Sequence, residues 1–134
     1  MSDWTDFGLR DVVVKILRDH AGSSLHHMGG SFLSAYQIAL AMKARHKVLF
    51  DRLEMPIGGL DTGERPSLAG YLARQLSETI KAGDPEIEGG FLSNLHLKEL
   101  VCGDAEETVI SSLTGTERGV SLFRHVDRHS SRRS

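Results

Sequence analysis

The sequence predicts a single, mainly α-helical domain that ends in a C-terminal β-hairpin. Apolar residues recur at helical spacing through most of the chain, and glycine and proline interrupt that pattern between segments. Near the C-terminus the pattern changes to two short apolar runs on either side of a glycine-bounded turn, which is typical of a hairpin. A chain of 134 residues with 40% hydrophobic content suits one domain with a buried core.

The first helix is predicted from about Phe7 to His20. Asp6 is a suitable N-cap because its carboxylate can accept hydrogen bonds from the unpaired N–H groups of the first turn. Gly22 can end the helix, since glycine adopts the left-handed conformation at little cost. One stripe of apolar side chains faces the predicted core: Leu9, Val12, Val13, Ile16 and Leu17.

The second helix is predicted from Phe32 to Met42, with Ser31 or Ser34 as its cap. This segment is apolar nearly all round, as expected for a central buried helix. From Lys43 to Glu54 charged and apolar residues alternate irregularly. We expect the helix either to become amphipathic there or to bend and restart.

The third helix is predicted from Ser67 to about Ala82, after a linker over residues 55–65. At about eleven residues, that linker is long for a compact helical domain. Gly83, followed by aspartate and proline, ends the helix. A short fourth helix is predicted from Phe91 to Val101.

The hairpin is predicted over residues 108–126, with strands at Thr108–Leu113 and Val120–Val126. The domain is therefore expected to span residues 1–126 and to be followed by a flexible basic tail, residues 127–134. Residues 1–116 contain 11 basic and 16 acidic side chains, which gives a charge of −5. Residues 117–134 contain five arginines and two acidic residues, which gives +3. A basic end on an acidic body can steer a protein toward phosphate.

The N-terminus lacks the basic and apolar regions of a secretory signal, and no apolar run approaches the roughly 20 residues of a membrane span. A cytoplasmic protein without a membrane partner is therefore expected. The single Cys102 excludes an internal disulfide and fits a reducing compartment.

No pattern of catalytic, cofactor-binding or metal-ligating residues is recognisable. The tandem His26-His27 and the His125/His129 pair have no carboxylate or second cysteine at ligand spacing, so no metal site is predicted. Cys102 is predicted to be structural, because acidic neighbours disfavour its thiolate. The glycine pairs lack the strand–loop–helix context of a phosphate-binding turn, so no cofactor is expected. A non-enzymatic function is predicted.

Three helices followed by a hairpin resemble the winged-helix (helix-turn-helix) superfamily. In that resemblance the segment from Ser67 to Ala82 corresponds to the recognition helix, and residues 108–126 form the wing. It implies a small DNA-binding regulator or accessory factor, with double-stranded DNA as the partner. The residues expected to contact DNA are Ser67, Gly70, Arg74, Lys81, Arg118, Arg124, Arg128, Arg132 and Arg133.

The alternative is a protein-interaction module or adaptor subunit. Residues 43–54 place apolar side chains beside exposed charge, as a partner-binding or homodimer surface does. The edge of the hairpin is the other predicted docking surface. The position of the basic tail relative to the face of Gly70, Arg74 and Lys81 distinguishes the two functions.

Overall fold

The computed structural model describes residues 3–22, 26–59, 66–103, 107–111 and 119–126. Helices hold 45% and strands 19% of these residues, so the fold is mixed α/β and not mainly α as predicted. The helices are α1 Asp3–Asp6, α2 Leu9–Asp19, α3 Ala35–Arg45, α4 Lys47–Leu53 and α5 Leu68–Lys81; the strands are β1 Leu33–Ser34, β2 Ile87–Leu92, β3 Val101–Gly103, β4 Thr108–Ile110 and β5 Val120–His125.

Helix α2 starts later than predicted, and Asp6 does not cap it. Asp6 belongs to the separate helix α1, and Gly8 occupies the N-cap of α2 with φ 61° and ψ 38°. Glycine adopts this left-handed conformation without the steric cost that a side chain adds, so the chain turns between the two helices there. The predicted apolar stripe is largely correct, because Leu9, Val13 and Ile16 are fully buried.

Helix α3 begins at Ala35, after the two-residue strand β1, and not at Phe32 as predicted. Ser34 is its N-cap: the Ser34 hydroxyl accepts a hydrogen bond from the Gln37 amide, and the Gln37 side chain accepts one from the Ser34 amide. This reciprocal pair fixes the start of the helix. The segment after α3 bends at His46 and restarts as α4, which is one of the two predicted outcomes.

Helix α5 confirms the predicted third helix. The Ser67 hydroxyl accepts a hydrogen bond from the Gly70 amide and caps the helix, and the chain turns at Gly83. Leu68, Leu72 and Leu76 lie four residues apart and are fully buried. Because i and i+4 side chains share one face, this leucine row packs on the core and leaves the opposite face of α5 to solvent.

The predicted fourth helix is wrong, since Phe91 lies in strand β2 and Val101 starts strand β3. Strand β2 pairs with β5 along its whole length, from Ile87 opposite His125 to Leu92 opposite Val120. Two adjacent glycines, Gly89 and Gly90, favour extended backbone over helix at this position. A short apolar run does not distinguish helix from strand by its spacing alone, which explains the error.

The predicted C-terminal hairpin over residues 108–126 is also wrong in its pairing. Both predicted segments contain a strand, β4 and β5, but these two strands do not pair with each other. Strand β4 pairs with β3, and β5 lies between β1 and β2 in a three-stranded antiparallel sheet of order β1-β5-β2. The separate β3–β4 ribbon thus lies, in sequence, between the paired strands β2 and β5. Antiparallel pairing between distant segments depends on tertiary packing, which no local pattern encodes.

The core lies between the sheet and helices α2, α3 and α5. Ile38, Met42 and Leu72 are fully buried in it, and Phe123 covers it from the sheet. Trp4 packs on the edge of this core, and its amide donates to the Tyr71 hydroxyl at 2.8 Å. Within the described ranges, no helix combines the length and apolarity needed to cross a membrane.

Candidate nucleic-acid interface

The solvent face of α5 carries the predicted contacts of the recognition helix. Gly70, Arg74 and Lys81 are all exposed, together with Ser77 and Glu78. Arg74 and Lys81 lie seven residues apart, which is about two turns and roughly 10 Å along the helix axis. The sequence therefore predicted correctly which face of this helix is accessible.

Arg74 and Lys81 form no ion pair with any described residue. Their helix neighbour Glu78 is exposed as well, and it lies within 4 Å of neither cation. An ion pair between Arg74 and Glu78, which lie four residues apart on the helix, is therefore not formed. Both cations are available to an external anion, although the carboxylate between them reduces the positive potential of the face.

The N-terminal end of α5 is closed to an anion. The Leu68 amide donates to the Pro56 carbonyl at 2.7 Å, and the Ala69 amide donates to the Ile57 carbonyl at 2.9 Å. The Gly70 amide is taken by the Ser67 hydroxyl at 3.1 Å. Since these first-turn N–H groups are already bonded, phosphate binding by the helix terminus is not available. The Ser67 hydroxyl is likewise committed to its cap.

Arg124 is held by contacts within the molecule. Its guanidinium forms an ion pair with Glu88 at 3.1 Å and donates to the Met28 carbonyl at 2.6 Å and the Gly30 carbonyl at 3.3 Å. The same group stacks over the Phe32 ring, 4.4 Å from its centroid. Arg124 thus joins strand β2, the loop before β1 and its own strand β5.

The loop held by Arg124 requires glycine at position 29. Gly29 has φ +83°, and a Cβ atom there would lie 2.6 Å from a guanidinium nitrogen of Arg124. His26 and His27 precede it with stacked rings 4.1 Å apart. Arg124 therefore positions this loop, and its guanidinium has little capacity left for phosphate.

The remaining predicted contacts, Arg118, Arg128, Arg132 and Arg133, lie outside the described residues. Their predicted role in neutralising phosphate stays a prediction. Of the nine predicted contact residues, the structure brings Ser67, Gly70, Arg74 and Lys81 together on α5 and sets Arg124 apart on the sheet.

A second arginine, Arg10 of α2, is also engaged internally. Its guanidinium binds Asp84 through two hydrogen bonds of 2.9 Å and Glu86 through a third of 2.9 Å. Hydrogen bonding to Asp84 and then to Glu86 raises the pKa of Arg10, and the bond to Arg10 lowers the pKa of Glu86. His125 approaches Glu86 from β5 at 3.6 Å. This cluster ties α2 to the turn between α5 and β2.

The structure adds a groove that the sequence did not predict. It has a volume of about 800 Å³ and lies between α3 and strand β3. Val101 and Leu92 are exposed there, with 52% and 38% of their surface accessible. The ion pair between Lys43 and Glu107, at 2.8 Å, joins its two walls. The apolar lining includes Leu40, Ala41, Ala44, Leu92, Leu100, Val101 and Leu122.

The predicted partner surface over residues 43–54 is only partly in this groove. Lys43, Ala44 and Lys47 line it, whereas Val48, which is 75% exposed, lies on another surface with Phe7 and Arg52. The signal that could have indicated the groove is the apolar pair Leu100-Val101, which lies inside the predicted fourth helix. Its interpretation as a helix concealed that signal.

The part of the chain that the structure describes contains no cluster of three or more histidine, cysteine or acidic side chains that could hold a metal ion. Cys102 is half-buried in β3, and its sulfur lies 3.9 Å from the Ser34 hydroxyl. No protein-family model, curated protein or solved structure matches this chain.

Proposed function

We propose that this chain is a winged-helix domain that binds double-stranded DNA through the outer face of α5. The observation that carries the proposal is the sheet order β1-β5-β2 combined with the position of α5. A winged-helix domain follows its first helix with a short strand, continues with two further helices and closes with two strands, the last of which lies between the other two in the sheet. The order α2, β1, α3, α5, β2, β5 has this form, with α4 added between α3 and α5.

In this proposal the wing is the β2–β5 pair together with the β3–β4 ribbon, and not residues 108–126. The revised wing follows α5 directly, because only the turn at residues 82–86 separates the two. Ile80 of α5 packs on the backbone of Gly89, where a Cβ atom would lie 3.0 Å from the isoleucine. Helix and wing are thus fixed relative to each other, as joint contact with one duplex requires.

Helix α5 can lie in a groove of DNA because its two faces differ sharply. The leucine row fixes it to the core, while Gly70 presents no side chain and allows close approach of a duplex. Arg74 and Lys81 supply the charge. Two phosphate contacts predict that the logarithm of affinity falls with the logarithm of salt concentration at a slope of about −1.8, and each tail arginine that also binds adds about −0.9.

The test is a fluorescence-anisotropy titration of labelled duplex DNA with the full-length chain at several salt concentrations. We expect binding at about micromolar concentrations in low salt. The double variant Arg74→Ala/Lys81→Ala should flatten the slope by roughly 1.8. Arg18→Ala is the matched control, because Arg18 is an exposed arginine of α2 without a described ion-pair partner, and it should leave the slope unchanged. Absence of binding at low salt would reject the proposal.

A protein-interaction module is the second candidate, and the groove between α3 and β3 favours it. We infer that an amphipathic helix of a partner protein is the occupant, since one wall is a helix and the lining is apolar, as in helix-in-groove recognition. The single cysteine, Cys102, lines the groove and provides a site-specific probe. A photo-crosslinker attached to Cys102 of the purified chain should give one stoichiometric adduct in a cell lysate, and Leu92→Asp should abolish it. An adduct that survives Leu92→Asp would contradict groove docking.

A further inference from the structure

Strand β2 is an edge strand whose outer side is unpaired in the described structure. The sheet order β1-β5-β2 leaves one side of Ile87–Leu92 without a neighbouring strand. Such an edge presents a row of N–H and C=O groups that can pair with another chain. Natural edges are usually protected by charged side chains, proline or bulges. The register of β2 with β5 is continuous, so this edge contains no bulge.

The hydrogen-bond pattern identifies which backbone groups point outward. The Val126 amide donates to the Glu86 carbonyl at 2.8 Å, so residues 86 and 126 form a hydrogen-bonded pair. Bonded and non-bonded pairs alternate along an antiparallel ladder. Glu88, Gly90 and Leu92 therefore direct their backbone groups toward β5. Ile87, Gly89 and Phe91 direct theirs away from the sheet, and no described residue bonds to them.

The side chains along this edge add no protection. Gly89 has none, Ile87 is buried beneath the sheet, and Phe91 is 76% exposed. The acidic side chain of Glu88 is neutralised within its own copy by Arg124. The edge therefore has unpaired backbone groups, no net charge and an exposed phenylalanine ring. A strand from another chain could pair with these backbone groups and cover the ring.

We propose that the β2 edge binds the β2 edge of a second copy of this chain, antiparallel, with the two-fold axis at Gly89. Gly89 then pairs with Gly89 of the second copy, and Ile87 pairs with Phe91. All outward N–H and C=O groups of the three residues become bonded, and the two sheets join into one sheet of six strands.

Self-complementarity favours a second copy over an unrelated strand. The glycine at the axis has no Cβ atom, so the two copies meet without a steric conflict where symmetry places identical residues face to face. Glu88 lies opposite Gly90, so no like charges oppose each other across the junction. Phe91 lies beside the Ile87 of the other copy and on the side where Ile80 packs, which gives its ring an apolar environment.

The size of the contact sets the expected strength. Two strand edges and two phenylalanine rings bury less than the standard specific interface of about 1,600 Å². A reversible dimer with a dissociation constant of about 10 to 100 μM is therefore expected.

The test uses the full chain in sedimentation velocity from 1 to about 500 μM, with three proteins. The unsubstituted chain should shift from monomer to dimer. Phe91→Lys should weaken dimerisation at least tenfold, because it places two lysines at the junction. Leu95→Lys is the matched control, since Leu95 is 77% exposed but lies beyond the strand, and it should dimerise like the unsubstituted chain.

Amide hydrogen exchange of the unsubstituted chain gives a second test that needs no variant. The Gly89 and Phe91 amides should exchange more slowly at high protein concentration, whereas the Gly90 and Leu92 amides, already bonded to β5, should not change. The proposal is overturned if the chain stays monomeric up to about 500 μM. It is also overturned if the Phe91→Lys variant still dimerises like the unsubstituted chain, or if the dimer does not show the alternating pattern of amide exchange. At about 1 μM protein, well below the expected dissociation constant of the dimer, DNA binding is measured on the monomer. Failure of the dimer proposal therefore leaves the DNA-binding proposal unaffected, and the reverse also holds.

Discussion

Arg10 of α2 and Arg124 of β5 carry the same charge as the arginine of α5, but in different surroundings. Arg10 and Arg124 each bind carboxylates and pack on neighbouring elements. Arg74 projects from α5 without an ion-pair partner among the described residues. The first two stabilise the fold, and the third is available to a ligand. The number of basic residues in a segment therefore does not measure the charge that it offers to DNA.

The largest loss of stability is expected from substitution of Arg10. Arg10→Met removes the two hydrogen bonds and the ion pair that Arg10 forms with the Asp84 carboxylate, whose side chain is only 10% exposed. Breaking a largely buried pair from one side should lower the free energy of unfolding by about 3 kcal/mol at neutral pH. Urea unfolding monitored by circular dichroism measures it. Arg18→Met is the control, because Arg18 is exposed and has no ion-pair partner among the described residues, and it should change stability by less than about 0.5 kcal/mol.

The same cluster should determine part of the acid sensitivity of the fold. Arg10 holds the pKa of Glu86 below its ordinary value of 4.5. A carboxyl whose folded-state pKa is lowered stabilises the fold above its ordinary pKa, and this stabilisation is lost as the pH falls through the folded-state value. Below pH 4.5 the unsubstituted chain should therefore lose more stability than Arg10→Met does. Equal losses in the two proteins would show that Arg10 does not stabilise the ionised Glu86.

A smaller effect is expected for Arg124. Arg124→Ala removes the Glu88 ion pair, the bonds to the Met28 and Gly30 carbonyls and the stacking on Phe32. The expected loss is about 2 kcal/mol of unfolding free energy. DNA affinity at a temperature where the variant is folded should stay within about twofold of the unsubstituted chain. A large loss of affinity with unchanged stability would place Arg124 in the DNA contact and contradict its role in stabilising the fold.

The smallest change in stability is expected from substitutions on the exposed face of α5. Arg74→Ala and Lys81→Ala remove exposed side chains without described ion pairs, so each should change the unfolding free energy by less than about 0.5 kcal/mol. Thermal unfolding of both variants checks this. A loss above 1 kcal/mol would mean that these cations support the fold and are not kept for a ligand.

Local signals were sufficient to predict α5 and its exposed face. They were not sufficient to predict the pairing of strands that are distant in the sequence. Ser67 and Gly83 mark the ends of α5 in the sequence, and its leucine row gives the orientation. Strand β2 was missed because the apolar run at Phe91 also fits a helix. The engagement of Arg124 could not be predicted, since Glu88 and Met28 lie 36 and 96 positions away along the chain.

The most direct measurement is an amide chemical-shift titration of the isotope-labelled full-length chain with duplex DNA. The proposed function predicts shifts along residues 67–81, strongest near Gly70, Arg74 and Lys81, with little change in the loop at Met28 that Arg124 holds. Shifts confined to the groove between α3 and β3, or none at low salt, would contradict it.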